Sequence, residues 1–186
     1  MKITQFGAGV FTLDDYLSGD ECARYIEMGG QIGYMPSEID TETGARRLEQ
    51  YRNNDRVLLD DTALASRLFE RAQPYLPKSF DEWQLSGFNE RMRFYRYRGG
   101  EYFRWHKDGT FARSADEESF LTFMIYLNEG FSGGNTQFQW DQVVPRTGTA
   151  LVFPHRHLHQ GGAIASGTKY VLRTDVMYAR QAAKAR

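Results

Sequence analysis

The sequence predicts a mainly β protein with flanking helices, a jelly roll or sandwich whose N-terminal helices pack on one sheet. Three observations lead there. Through about residue 80, apolar residues recur at helical spacing. From Phe88 to Tyr178 the period changes to two, and about seven or eight short runs rich in β-branched and aromatic residues follow one another. Glycines at Gly99-Gly100, Gly133-Gly134, Gly148 and Gly167 separate those runs where the chain must turn. At 186 residues, 41% hydrophobic, the chain fits one domain over 1–186 with a sizeable core: a helical portion over about 1–80 and a β core over about 88–178.

Taken in order, the first helix starts at a capping box, Ser18 followed three residues later by Glu21. It presents Cys22, Tyr25 and Ile26 on one face before Gly29-Gly30 ends the pattern. Gln31 to Asn54 is polar and weakly periodic, which predicts irregular structure with one short strand at most. Asp60 or Asp61 caps a second helix whose stripe of Leu64, Leu68, Ala72 and Tyr75 stops at Pro77. In the β portion Met92 and Phe94 alternate with Arg91, Arg93, Tyr95 and Tyr97, and Tyr102 to Asp108 reads as the next strand. Gly109 to Ser119 is small and polar, a mobile loop by expectation. From Phe120 to Asn128, Thr122, Met124 and Tyr126 share one face, while Leu121, Phe123, Ile125 and Leu127 share the other. Strands at Thr136–Trp140, Ala150–Phe153 and Lys169–Tyr178 complete the pattern, and the tail beyond Tyr178 is expected to fray.

A net charge of −1 gives no global field for nucleic acid or an anionic membrane, and Arg91 and Arg93 read as a solvated or paired strand face. The single cysteine, Cys22, excludes an internal disulfide, so a cytoplasmic location is the expectation. No run of about 18 apolar residues could span a bilayer, and Met1–Leu13 lacks a signal-peptide pattern. A soluble protein with no membrane partner is therefore expected; no residue pattern specifies an oligomeric state.

Chemistry concentrates at His106-Lys107-Asp108. On extended backbone, residues two apart face the same way, so an imidazole and a carboxylate can chelate one ion. A further histidine would complete the two-His-one-carboxylate set used for Fe(II) with open positions. His155, His157 and His159 all share one parity, so alternation alone does not choose among them. The surroundings that discriminate are His159-Gln160-Gly161, Gly167-Thr168-Lys169-Tyr170-Val171-Leu172-Arg173, Tyr126-Leu127-Asn128 and Gly133-Gly134-Asn135-Thr136-Gln137-Phe138.

These motifs resemble the Fe(II)/2-oxoglutarate-dependent dioxygenases, specifically the prolyl-4-hydroxylase-like branch. The similarity runs from about Phe88 to Tyr178 and is looser in the N-terminal helices. The resemblance implies a double-stranded β-helix and a catalytic centre in which His106, Asp108 and His159 hold the iron. It implies that Lys169, ten residues after His159, meets the distal carboxylate of 2-oxoglutarate, with Tyr97 and Tyr126 at the family's cosubstrate tyrosines. Asn135 stands where an acid is usual and Gln160 where glutamate is frequent; neither is a ligand, and both departures bear on substrate. The activity implied is hydroxylation of a C–H bond with release of succinate and carbon dioxide, using dioxygen, with ascorbate as a reductant. An acid at Asp108, where halogenating relatives carry a small apolar residue, points to hydroxylation.

Residue chemistry agrees. A lysine on an inward face predicts an anion beside it, since a buried ammonium is costly unpaired. Arg173 has the same parity and is the rival cation, able to grip a carboxylate bidentately, or else to pair structurally with Asp175. His155 and His157 are read as neighbours of the site, His155 as a hydrogen-bond partner. Arg52, Asn53 and Asn54, with Phe111 and Arg113 of the 109–119 loop, are the candidate substrate contacts, for a peptidyl proline or a small metabolite. The competing reading is a cupin-like metal-binding barrel, a sensor or a dioxygenase independent of 2-oxoglutarate, in which Lys169 is merely structural.

Overall fold

The protein, seen in a computed structural model that describes residues 1–37, 39–41, 44–46 and 50–180, is built on two antiparallel sheets. The larger runs in the order Lys2–Gly7, Val10–Asp14, Ala150–Pro154, Glu117–Tyr126, Lys169–Arg180, Arg91–Tyr97, Asp55–Asp60 and Met35–Pro36. Trp83–Phe88 pairs with the far end of Lys169–Arg180. The smaller runs Phe103–His106, His159–Gly161, Thr136–Phe138 and Gln142–Val143. This is the jelly-roll arrangement, mainly β with few helices.

Alternation along the central strands gives the large sheet two chemically distinct faces. Met92, Phe94, Phe123, Ile125, Leu172 and Val176 form one core with the helices α1 (Gly19–Ile32) and α2 (Thr62–Ala72), which contribute Cys22, Leu64, Leu68 and Ala72. Tyr95, Tyr97, Tyr126, Phe153 and Val171 join Phe138 and Val143 of the smaller sheet in a second core, between the sheets. Each fully buried large side chain contributes about 1.5–3 kcal/mol relative to exposure. That is enough to fix which face each strand turns to the helices.

Helix α1 begins at the expected capping box, with the Glu21 amide donating to Ser18 Oγ and the Ser18 amide to Glu21 Oε2. It does not stop at Gly29-Gly30 but continues to Ile32, because Gly33 (φ 98°) is the residue that leaves helical space. Asp61 caps α2 by accepting from the Leu64 amide at 2.8 Å, and a 3₁₀ turn at Gln73–Tyr75 extends it toward Pro77.

The N-terminal portion is not helical throughout. It opens with the hairpin of Lys2–Gly7 and Val10–Asp14, which joins the large sheet through Ala150–Pro154, and it adds the strand Asp55–Asp60 between the helices. Val10–Asp14 is covered on both faces, so it lacks the alternation by which a half-buried strand is read. Of the stretch read as irregular, Met35–Pro36, Ile39–Thr41 and Gly44–Arg46 are short strands, and residues 38, 42, 43 and 47–49 lie outside the described residues. The expected loop after Asp108 is a short hairpin, Ala112–Ser114 against the start of Glu117–Tyr126. Strand Phe103–His106 ends before Asp108, and Thr136–Phe138 stops short of Trp140. The last strand runs through Arg180, and the tail expected to fray, residues 181–186, lies outside the described residues. Among the described residues no helix is long and apolar enough to cross a membrane.

The two adjacent glycines of α1 should respond oppositely to alanine. A Cβ on exposed Gly30 meets nothing, whereas one on buried Gly29 meets the Tyr34 hydroxyl at 2.6 Å and Phe94 Cδ1 at 3.4 Å. Urea unfolding should show Gly30→Ala more stable by about 0.5–1 kcal/mol and Gly29→Ala less stable by about 1–3 kcal/mol.

Candidate active site

The pocket between the sheets is lined from the large sheet by Tyr95, Thr122, Met124, Lys169 and Arg173 and from the small one by Phe103, His106, Thr136 and His159. His106 and His159 are cross-strand partners in the smaller sheet, so the ladder itself sets the two imidazoles side by side, ring centroids 4.2 Å apart. His106 Nδ1 lies 2.7 Å from the Arg104 carbonyl and His159 Nδ1 2.9 Å from the His157 carbonyl. A carbonyl only accepts, so each Nδ1 carries the proton and each Nε2 keeps a free lone pair. Asp108, after the end of the strand, brings its carboxylate oxygens to 3.6 Å from His106 Nε2 and 3.7 Å from His159 Nε2. The three ligand atoms all lie within 4.8 Å of one another. Two neutral imidazole nitrogens and a carboxylate aimed at one point fit a first-row divalent metal. Phe103 stacks on the His106 ring (3.5 Å, 14°) and fixes its plane.

Electrostatics favours the ligating states. Burial pushes the His159 imidazole down to about 4, keeping it neutral. Burial by itself would raise the Asp108 carboxyl, but the Arg173 guanidinium and the two imidazoles hold it well below the usual carboxylate range. Arg173 Nη1 is 3.1 Å from Asp108 Oδ1, and Nη2 is 3.3 Å from Asp175 Oδ1. Arg173 thus takes part in the structural pair with Asp175 and reaches the site as well. Burial alone would raise the Tyr95 phenol, yet the fields of Arg52, Arg173 and Arg93 bring it down to about 8.

Lys169 is the exception among the buried charges. Its ammonium donates to the Gly134 carbonyl at 2.5 Å and lies 5.2 and 5.6 Å from the ring centroids of Tyr126 and Tyr97. Burial, opposed by no neighbouring carboxylate among the described residues, pushes its pKa down to about 7. The Tyr126 hydroxyl donates to Thr136 Oγ1 at 2.7 Å, and burial raises the Tyr97 phenol to about 12. A buried ammonium with no carboxylate beside it among the described residues can receive an anion.

The structure gathers His106, Asp108, His159, Lys169, Tyr97 and Arg173 around one cavity, with Tyr126 behind it. His155 points to Thr122 and Ser119, and His157 Nε2 to the Ala8 carbonyl, because the chain turns between Pro154 and His159 and strand parity does not carry across. The candidate substrate residues do not line the pocket. Arg52 is buried behind its wall, its guanidinium 4.4 Å from both the Tyr95 and Phe103 rings, with Nε donating to Asn54 Oδ1. Asn53 accepts from the Tyr102 amide, and Asn54 donates to the Asp55 carbonyl. Phe111 closes the base of the hairpin through its backbone, and Arg113 pairs with Glu117 and Glu90 on the outer surface. Sequence reading passed over Tyr95, Phe103, Thr122 and Thr136. The parity that Tyr95 shares with Tyr97, and Thr122 with Tyr126, was the available signal.

Residues 92–174 match the family model of the 2OG-Fe(II) oxygenase superfamily, a segment that takes in every residue named above as lining the pocket. No curated protein matches the sequence. Among solved structures, the chain is similar to a viral collagen prolyl hydroxylase from Paramecium bursaria Chlorella virus-1 (TM-score 0.66, 23% identity, 93% of this chain and 97% of that one). It is also similar to a prolyl-4-hydroxylase from Pseudomonas putida (0.64, 19%, 94% and 94%). A third likeness is to a Trichoplax adhaerens prolyl hydroxylase bound to a hypoxia-inducible-factor peptide (0.68, 14%, 90% and 83%). The segment that carries the pocket is thus similar to the 2OG-Fe(II) oxygenase superfamily, and the chain has the fold of the prolyl hydroxylases.

Proposed function

We propose that His106, Asp108 and His159 hold Fe(II), that Lys169 receives the far carboxylate of 2-oxoglutarate, and that the enzyme hydroxylates a C–H bond of a peptidyl proline or a small metabolite. The observation that carries this reading is a single pocket lined both by convergent metal donors and by a buried ammonium with no carboxylate beside it among the described residues. The viral neighbour solved with 2-oxoglutarate and the Trichoplax one solved with a peptide agree with both halves. A merely structural lysine, as in a cupin-like metal barrel, would be left buried without a counter-charge.

Bound iron with 2-oxoglutarate supplies the oxidising chemistry: dioxygen is consumed, the keto acid becomes succinate and carbon dioxide, and one oxygen atom enters the substrate C–H bond. The chain's part is placement and exclusion. The Nδ1–H bonds of His106 and His159 keep their lone pairs aimed at the metal, and the Phe103 stack prevents ring rotation. Lys169, with the Tyr126 and Tyr97 rings beside it and Thr136 in the same pocket, fixes the dicarboxylate's far end. Met124, Phe153 and Val171 keep water from the reacting region. Arg52, Asn53, Asn54, Phe111 and Arg113, none of which lines the pocket, are not assigned substrate contacts in this reading. Arg52 acts through the Tyr95 and Phe103 rings it supports.

Asp108→Ala should lower divalent-metal affinity by more than roughly 100-fold and abolish 2-oxoglutarate-dependent oxygen uptake; full turnover in that variant would remove the proposed triad. In anaerobic calorimetry on the metal-loaded protein, 2-oxoglutarate should bind. Lys169→Met should weaken it by about 2 kcal/mol or more, roughly 30-fold, as for a truncated buried charge pair. Absence of binding to the wild type would favour the cupin-like alternative.

The pH dependence has a definite sign. With its pKa at about 7, Lys169 is half uncharged in the free protein at neutral pH, whereas the bound dianion requires the ammonium. Below pH 7 no proton need be taken up; above it, affinity should fall by up to about tenfold per pH unit. Lys169→Met should lose that slope between pH 7 and 9, and a wild type with flat affinity over the same range would exclude Lys169 as the carboxylate partner.

A further inference from the structure

We propose that His155 is a positioning residue for the metal-binding carboxylate, acting on Asp108 through the Thr122 hydroxyl; this rests on the proposed ligand role of Asp108. Asp108 lies beyond the end of strand Phe103–His106, so no ladder fixes its side chain. Two contacts do: Arg173 Nη1 at 3.1 Å from Oδ1 and Thr122 Oγ1 at 2.5 Å from Oδ2.

The hydrogen bonds behind Thr122 can run in only one direction. A carboxylate accepts, so the hydroxyl's single proton goes to Asp108. The same oxygen then accepts from His155 Nδ1, 2.9 Å away, which in the neutral imidazole leaves Nε2 as an acceptor. Ser119 Oγ, 2.9 Å from Nε2, must donate to it, and its own lone pair takes the Phe111 amide proton at 2.9 Å. Backbone amide, serine, histidine, threonine and carboxylate thus form one polarised chain from the base of the 112–118 hairpin to the site. Ser119, Thr122 and His155 are each no more than 2% exposed, so water does not compete for these groups. His155 also holds Asp108 by a second route, since its carbonyl accepts the Asp108 amide at 3.0 Å.

A histidine that merely fills the interior would satisfy the same burial but would not act through one hydroxyl. Two amide replacements separate these roles. Asparagine at 155 can present a donor near the Nδ1 position, within reach of Thr122. Glutamine reaches the Nε2 position, keeps the bond to Ser119 and leaves Thr122 Oγ1 with only the longer contact from Arg173 Nη2 at 3.4 Å. Co(II) affinity of the apo-protein, together with the visible ligand-field spectrum of the Co(II) form, reads the geometry of the donor set without turnover.

His155→Gln and Thr122→Val should each weaken Co(II) binding by roughly 10–100-fold and alter the spectrum, while His155→Asn and Thr122→Ser stay within a few-fold of wild type. The double variant Thr122→Val/His155→Gln should be no worse than Thr122→Val alone. The inference is overturned if His155→Gln binds Co(II) as the wild type does, if the Asn and Gln variants lose affinity equally, or if the two losses add. Asp108→Ala, run in parallel, keeps the readings apart. If it binds Co(II) normally the ligand assignment itself has failed, whereas loss there with an unaffected His155→Gln removes only the role of His155.

Discussion

The constraint on which everything else depends is the register of strand Lys169–Arg180 between its two neighbours. Lys169, Val171 and Arg173 pair with Tyr97, Tyr95 and Arg93 on one side, and Val171 and Arg173 with Tyr126 and Met124 on the other. These partners share a face, so the pocket's ammonium, guanidinium and phenols, with Met124 and Val171 of its apolar wall, come from alternate positions of three bonded strands. Leu172, with Phe94 and Ile125 beside it, anchors the opposite face to the helices. A slip of one residue would turn Lys169 and Arg173 into the apolar core and Leu172 into the pocket. The helical layer therefore specifies the chemistry of the site without touching it.

The two buried cations on that strand have different fates because their head groups differ. A guanidinium spreads its charge over a planar fork, and Arg173 uses both ends of it, one on Asp108 and one on Asp175. Asp175 is shared further with Arg93 at 3.0 Å. Its charge is matched inside the protein, and Asp108, Tyr95 and Asp175 raise its pKa against the effect of burial. Among the described residues Lys169 has a carbonyl and two ring faces, and desolvation pulls its pKa down. A cation satisfied by the fold serves the fold. One with no carboxylate beside it among the described residues is, on the proposed reading, the group that receives the cosubstrate's far carboxylate.

Much of this was legible in the sequence because it depends on local periodicity. The capping box at Ser18, the stripe on α2 and the alternation from Met92 to Tyr97 and from Leu121 to Leu127 all reflect rules that act within a few residues. The N-terminal hairpin was not legible, since Val10–Asp14 is covered on both faces and shows no contrast between inside and outside. Nor could parity single out His159. His155, His157 and His159 straddle a turn, where the rule that alternate residues share a face lapses, and a family resemblance was needed to choose among them. The substrate candidates illustrate a different limit. Arg52 and Arg113 look alike in a sequence, yet one is sandwiched between aromatic rings and the other is held by two glutamates on the outer surface. Only the tertiary neighbours distinguish them.

The donor set is divided between the sheets in a way that ties site formation to folding. His106 and His159 belong to the smaller sheet and are aligned by its ladder. The Asp108 carboxylate is oriented by Thr122 and Arg173, which belong to the larger one. Neither sheet alone holds three donors in place, and the apolar contacts of Phe138 and Val143 with Phe153 and Val171 are what close one sheet on the other. A metal bound across that closure favours the closed form by its differential affinity, and by linkage the closed form favours the metal. On the proposed ligand assignment, packing between the sheets is part of the coordination chemistry: a change that loosens Phe138 or Phe153, neither of which is proposed as a ligand, would act on metal affinity through the distance between the two histidines and the aspartate.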